Sequence, residues 1–67
     1  MSVAKVTEIT ASSPVSFEDA IKLGIARASK TLQDITGAWV SEEKVTVENG
    51  KITSYRVTMK VTFILND

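Results

Sequence analysis

Trp39, the chain's single tryptophan, stands two residues after Gly37 and precedes a charged run, Glu42-Glu43-Lys44. Further along, Arg56 and Lys60 alternate with apolar residues. These residues have chemistry to offer, and what is missing beside them narrows it. The sequence has no histidine and no cysteine, so neither an imidazole acid–base nor a thiolate nucleophile is available. No glycine-rich phosphate loop and no G-x-S-x-G elbow occurs. Ser12 and Ser13 precede Pro14 and read as turn and cap residues. Glu42 and Glu43 are neighbours in a strand-like run, so their carboxylates point to opposite faces and cannot act together within one chain. Catalysis is not expected. What remains is recognition, by an aromatic ring that can stack and by cations that favour an anionic group.

The elements that must position these residues are legible in the pattern. Val3 to Thr10 is rich in β-branched residues and reads as a strand. ASSPVS interrupts it, with Ser16 as N-cap and Glu18 and Asp19 in the first helical turn. Phe17, Ile21, Gly24, Ile25, Ala28, Leu32 and Ile35 follow at helical spacing, with Gly37 placed to stop the helix. Trp39 to Glu48 and Lys51 to Leu65 then flank Asn49-Gly50, a type I′ hairpin signal that needs positive φ at both positions. The last strand alternates strictly from Tyr55 to Leu65, which suits the central place in a sheet. The expected class is α+β in the order β-α-β-β. It comprises a three-stranded antiparallel-type sheet with one amphipathic helix packed on one face.

With a two-residue loop at Asn49-Gly50, Glu48 faces Lys51 and the earlier pairs follow. Trp39 then faces Lys60, Glu43 faces Arg56 and Val47 faces Ile52, all on the side away from the helix. Val40 faces Met59 and Glu42 faces Val57 on the helix side. A bulge would exchange the faces beyond it. The Glu43–Arg56 pair is worth about 1 kcal/mol at most, and a Lys60–Trp39 cation–π contact about 0.5–1 kcal/mol. A tryptophan on the uncovered face would be wet in a monomer, so burial by a ligand or a second subunit is expected.

Sixty-seven residues make a single domain, 1–67, whose own core is marginal. Without cysteine or histidine, neither a disulfide nor a metal held by a histidine or cysteine cluster can supplement it, so self-association is expected. Eight basic residues balance eight acidic ones. That balance speaks against nucleic acid or an anionic membrane as partner. No signal-like or membrane-length apolar run occurs, and a cytoplasmic protein is the expectation.

SSPVSFEDAIKLGIARASKTL, then the hairpin, then YRVTMKVTF give the chain a resemblance over nearly its whole length to the dodecins, small proteins that assemble into hollow dodecamers. The resemblance implies a homododecamer that binds or stores a small-molecule ligand without transforming it, with a flavin (FMN or riboflavin) as the cofactor of many members. In flavin-binding members a tryptophan opening the second strand stacks on the ring, and a glutamine in the last strand hydrogen-bonds its edge. Counted without gaps from Thr31-Leu32, these positions are Gly37 and Arg56. A basic position near the end of the last strand is Ile64, and Lys44 falls near another basic position. The chain is therefore similar to members lacking the flavin residues. Trp39 has the parity of the missing tryptophan, displaced by about two residues or ~7 Å. Two readings stand. In one, Trp39, Arg56, Gly37 and Lys44 line a site for a flavin or another aromatic ligand. In the other, Trp39, Glu43, Arg56 and Lys60 are subunit contacts of a flavin-less dodecamer. Any ligand there is a metabolite or an ion such as calcium, drawn by Glu42, Glu43 and Glu48, with the metal ligands themselves unassigned.

Overall fold

The computed structural model describes residues 3–65. Its elements run β1 (Val3–Ser13), α1 (Phe17–Ala28), β2 (Ile35–Glu48) and β3 (Lys51–Leu65). The sheet order is β1-β3-β2, and both outer strands are antiparallel to β3, so β1 and β2 run parallel to one another. The strictly alternating strand is the central one, as its pattern predicts. Val57, Met59 and Val61 on β3 are fully buried and form the core with Ala20 of the helix. Among the described residues no helix is long and apolar enough to cross a membrane.

The helix begins as its sequence indicates. Ser16 accepts from the Asp19 backbone N–H at 2.9 Å. The buried Ser13 hydroxyl donates to the Asp19 carboxylate at 2.5 Å and accepts from the Val15 N–H at 3.0 Å. That network ties the end of β1 to the first turn of α1. Glu18 and Lys22 form an exposed i,i+4 ion pair at 3.2 Å.

Its end corrects the reading from spacing. The helix closes at Ala28 with Ser29 as C-cap, so Gly37 is no helix terminator and lies within β2 opposite Thr62. Ser29, Thr31 and Leu32 N–H groups return to the Ile25 and Ala28 carbonyls, which satisfies the last turn without a glycine. Asp34, at φ 59°, follows in the turn before β2 begins at Ile35. Leu32 and Ile35 still pack against the core. They extended the apparent stripe because a chain turning back across a core repeats apolar residues at a spacing close to the helical one. β1 also runs three residues beyond Thr10, to Ser13.

The hairpin turn has positive φ at Asn49 (52°) and Gly50 (76°), as its type requires. Glu48 faces Lys51, Val47 faces Ile52, Val40 faces Met59 and Trp39 faces Lys60, the partners expected. The Val47–Ile52 pair, however, lies beyond the bulges and stands on the helix side of the sheet, not the outer face expected for it. Between these ends the register is displaced by one residue. Glu42 faces Thr58 rather than Val57, Glu43 faces Val57 rather than Arg56, and Lys44 faces Arg56. Ser41 is the extra residue on β2 and Thr53 on β3. Val45 moves with them to face Tyr55, whose ring meets Phe17 of the helix edge-on, with centroids 5.2 Å apart. Val45 is thus on the helix side, not the outer face where strict alternation placed it.

Candidate ligand-binding face

Because Val57, Met59 and Val61 point into the core, Arg56, Thr58 and Lys60 between them point away from the helix. Cross-strand pairing carries their partners to the same outer face in three rows. Glu8, Lys60 and Trp39 form one, Thr10, Thr58 and Glu42 the next, and Ser12, Arg56 and Lys44 the third. Gly37 joins this face one row beyond Trp39, opposite Thr62. The four residues singled out in the sequence as ligand-lining, Trp39, Arg56, Gly37 and Lys44, are therefore on one side of the sheet.

Within the face, side chains hold one another. The Lys60 ammonium lies 5.1 Å from the Trp39 ring centroid, the cation–π contact expected from the register. Arg56 Nε donates to Ser12 Oγ at 3.2 Å, and the Thr10 and Thr58 hydroxyls are 3.4 Å apart. A shallow depression of about 170 Å³ is lined by Thr10, Glu42, Lys44, Arg56 and Thr58. Trp39 is 64% exposed, so most of its ring is available for stacking.

Lys44 directly opposite Arg56 is electrostatically unfavourable for the protomer alone, since like charges on paired residues repel. Glu42, in the next row, reduces that repulsion. Lys60 adds a third cation toward Trp39. An aromatic platform at one end and two opposed cations at the other suit a planar ligand bearing a negative group.

Glu43 is corrected as a member of this face. It stands opposite Val57 on the helix side, so it is neither the partner of Arg56 nor a neighbour of Trp39 and Lys60 as an outer-face subunit contact. Glu42, Thr10 and Ser12 are the residues of this face that the sequence reading did not place on it, whereas Thr58 follows from the alternation of β3. A signal for the exchange exists: Val40 falls on even parity, Val45 and Val47 on odd, and such a phase break marks a bulge. Glu42, Glu43 and Glu48 do not converge either. Glu42 is outward, Glu43 helix-side, and Glu48 beside the turn. Among the described residues no group of three or more acidic, histidine or cysteine side chains is placed to hold a metal ion.

A larger crevice of about 490 Å³ lies between α1 and β1, with walls that include Ile9, Leu23 and Leu32. Among the described residues Arg27 is the one charged side chain lining it. It offers mainly apolar volume with one cation and the hydroxyls of Thr7, Thr10 and Thr31, whereas the outer face offers an aromatic ring and several charges.

Comparison with known proteins places this geometry among relatives. A family model described as Dodecin matches residues 3–66. The calcium dodecin of Mycobacterium tuberculosis is 42% identical over 64 residues, covering 94% of this chain and 89% of that protein. Among solved structures, a dodecin from Streptomyces davaonensis superposes with a TM-score of 0.94 at 38% identity, over 98% of this chain and 97% of its own. The crystal structure of the M. tuberculosis calcium dodecin, described as having a novel calcium-binding site, gives a TM-score of 0.82 at 37% identity, over 96% of this chain and 91% of its own.

Proposed function

The chain belongs to the dodecin family, and from that premise we propose that it is a non-enzymatic small-ligand binding and storage protein that works as a homododecamer. The observation that carries the ligand reading is the arrangement of Trp39, Lys44 and Arg56 on one exposed face. The ligand class it supports is a planar aromatic molecule with an anionic group.

A flavin fits this description in part. The position that would bear a stacking ring is Gly37, where an added Cβ meets nothing within 4 Å. That ground is open, and Trp39, two residues on and on the same face, is the ring that borders it. Arg56 has donors and no acceptor, so it serves a carbonyl, carboxylate or phosphate oxygen, not both sides of a donor–acceptor edge. Lys44 adds charge opposite it. These residues favour a phosphorylated flavin over a neutral one. When bound, such a ring supplies the chromophore and redox chemistry, while the protein's residues stack it, hold its anionic group and keep it from water.

The test is flavin fluorescence. FMN titrated with protein should be quenched, and riboflavin should need roughly tenfold more protein, because a hydrogen bond to a charged group is worth about 1.5–3 kcal/mol. FMN fluorescence unchanged at high protein concentration sinks the flavin reading.

A second reading is supported by the 42% identity to a calcium dodecin. Calcium needs six to eight oxygen ligands, and one protomer's described residues do not gather them. A calcium site would have to collect carboxylates from several copies of the chain.

A further inference from the structure

Between Gly37 and Glu48 the β2–β3 pair leaves its simple register and returns to it; a further shift lies before Gly37, at the start of β2. Trp39–Lys60 and Val40–Met59 at one end share a register with Val47–Ile52 and Glu48–Lys51 at the other. Only residues 42–46 between them are displaced, by Ser41 on one strand and Thr53 on the other. The two bulges cancel. The same segment could therefore pair regularly with the partners at either end unchanged, although Val47 and Ile52 would pass from the helix side to the outer face. That pairing would set Glu43 opposite Arg56 on the outer face and turn Glu42 and Lys44 to the helix side.

Each bulge residue carries a hydroxyl, and each hydroxyl donates across the strands. Ser41 Oγ donates to the Thr58 carbonyl at 3.2 Å, and Thr53 Oγ1 to the Thr46 carbonyl at 3.3 Å. A bulge leaves its extra residue out of the ladder, and these bonds replace part of the lost pairing. The apolar pattern acts in the same direction, since only the displaced register sets Val45 against Tyr55. Against it stand an uninterrupted ladder and a Glu43–Arg56 ion pair in the regular register.

We propose that Ser41 and Thr53 are positioning residues that jointly hold the displaced register, and so decide that Glu42 and Lys44, not Glu43, stand beside Arg56 on the binding face. This rests on the reading of that face as a ligand site and names its specificity device. In the displaced register the face shows two opposed cations and takes an anionic ligand. In the regular register Glu43 neutralises Arg56, and that preference is lost.

The chain has no cysteine, so a cross-strand disulfide reads the register directly. Thr46→Cys with Ser54→Cys puts thiols on directly opposed residues of the displaced register, and on residues out of step in the regular one. This pair should oxidise readily in an otherwise unaltered chain, and adding Ser41→Val or Thr53→Val should lower its yield several-fold. Without the cysteines, either valine substitution should weaken FMN binding by about tenfold. Since the bulges vanish together, the double valine variant should bind FMN no worse than either single one. Additive losses, or a disulfide yield that neither substitution alters, overturn the proposal. Thr53→Val keeps the side chain's shape, so it decides the matter even where Ser41→Val fails to fold. The disulfide needs no ligand: an unaltered protein that ignores FMN would refute the ligand reading, and the cross-link would still decide the register.

Discussion

Trp39 keeps 64% of its surface in water, with the Lys60 ammonium 5.1 Å from its ring centroid. A cation at one part of the ring leaves an aromatic face for a planar partner, and such stacking is worth about 0.5–1.5 kcal/mol beyond the area buried. Trp39→Ala should therefore weaken FMN binding by at least about tenfold once the lost burial is included. Size-exclusion chromatography of the same variant separates the two roles open to this residue. An intact assembly with lost FMN binding supports a platform, whereas dissociation supports a subunit contact. Trp39 and Lys60 were readable as a pair because the Asn49-Gly50 turn fixes the register and the two bulges cancel before reaching them. Glu43 was not readable in the same way, because it lies between the bulges.

At the scale of elements, the fold depends on how closely α1 approaches the sheet. A Cβ at Gly24 would lie 2.7 Å from Met59 Cε and 3.0 Å from Ala11 Cβ. Met59 is fully buried and has little room to withdraw. Gly24→Ala gains about 1 kcal/mol of helix propensity but overpacks the core at a cost of about 1–3 kcal/mol. We expect a net loss of about 1 kcal/mol, seen as a melting temperature lower by about 4–8 °C. A more stable variant would show that the helix has slack over the sheet. The stripe of apolar residues identified this helix and its buried face correctly. Its end could not be located the same way, because Leu32 and Ile35 belong to the same core after the helix has stopped. Hydrogen bonds of Ser29, Thr31 and Leu32 end it, and spacing does not report them.

As a whole molecule the protomer is too extended to be self-sufficient. Its radius of gyration is 13.8 Å, against about 11 Å for a compact chain of this length. The helix covers β1 and β3, and in β2 only Ile35 and Val40 are even partly buried. The outer end of the hairpin runs past Ser13, the last residue of β1 to pair, and leaves Val47 and Ile52 half exposed. A chain this small cannot leave so much apolar surface wet and stay soluble as a monomer. Native mass spectrometry should show a homododecamer, and at millimolar calcium an added mass of bound ions if copies pool their carboxylates. A stable monomer would undo the assembly reading, and an unchanged mass would undo the calcium one.

The sequence by itself determined the order β-α-β-β, the central last strand, the turn at Asn49-Gly50, the helix face and the dodecin resemblance. The resemblance rests on matched stretches of sequence, and the rest on local periodicity and turn chemistry, which each segment carries within itself. Only the tertiary structure decided which charges accompany Arg56. Side chains in a strand alternate between faces, so the bulge at Ser41 reverses every β2 residue after it, and the bulge at Thr53 on β3 restores the pairing partners but not the faces. Whether such bulges form depends on Val45 finding Tyr55 across the sheet and on the Ser41 and Thr53 hydroxyls finding carbonyls on the opposite strand. Those contacts exist only once the strands have paired.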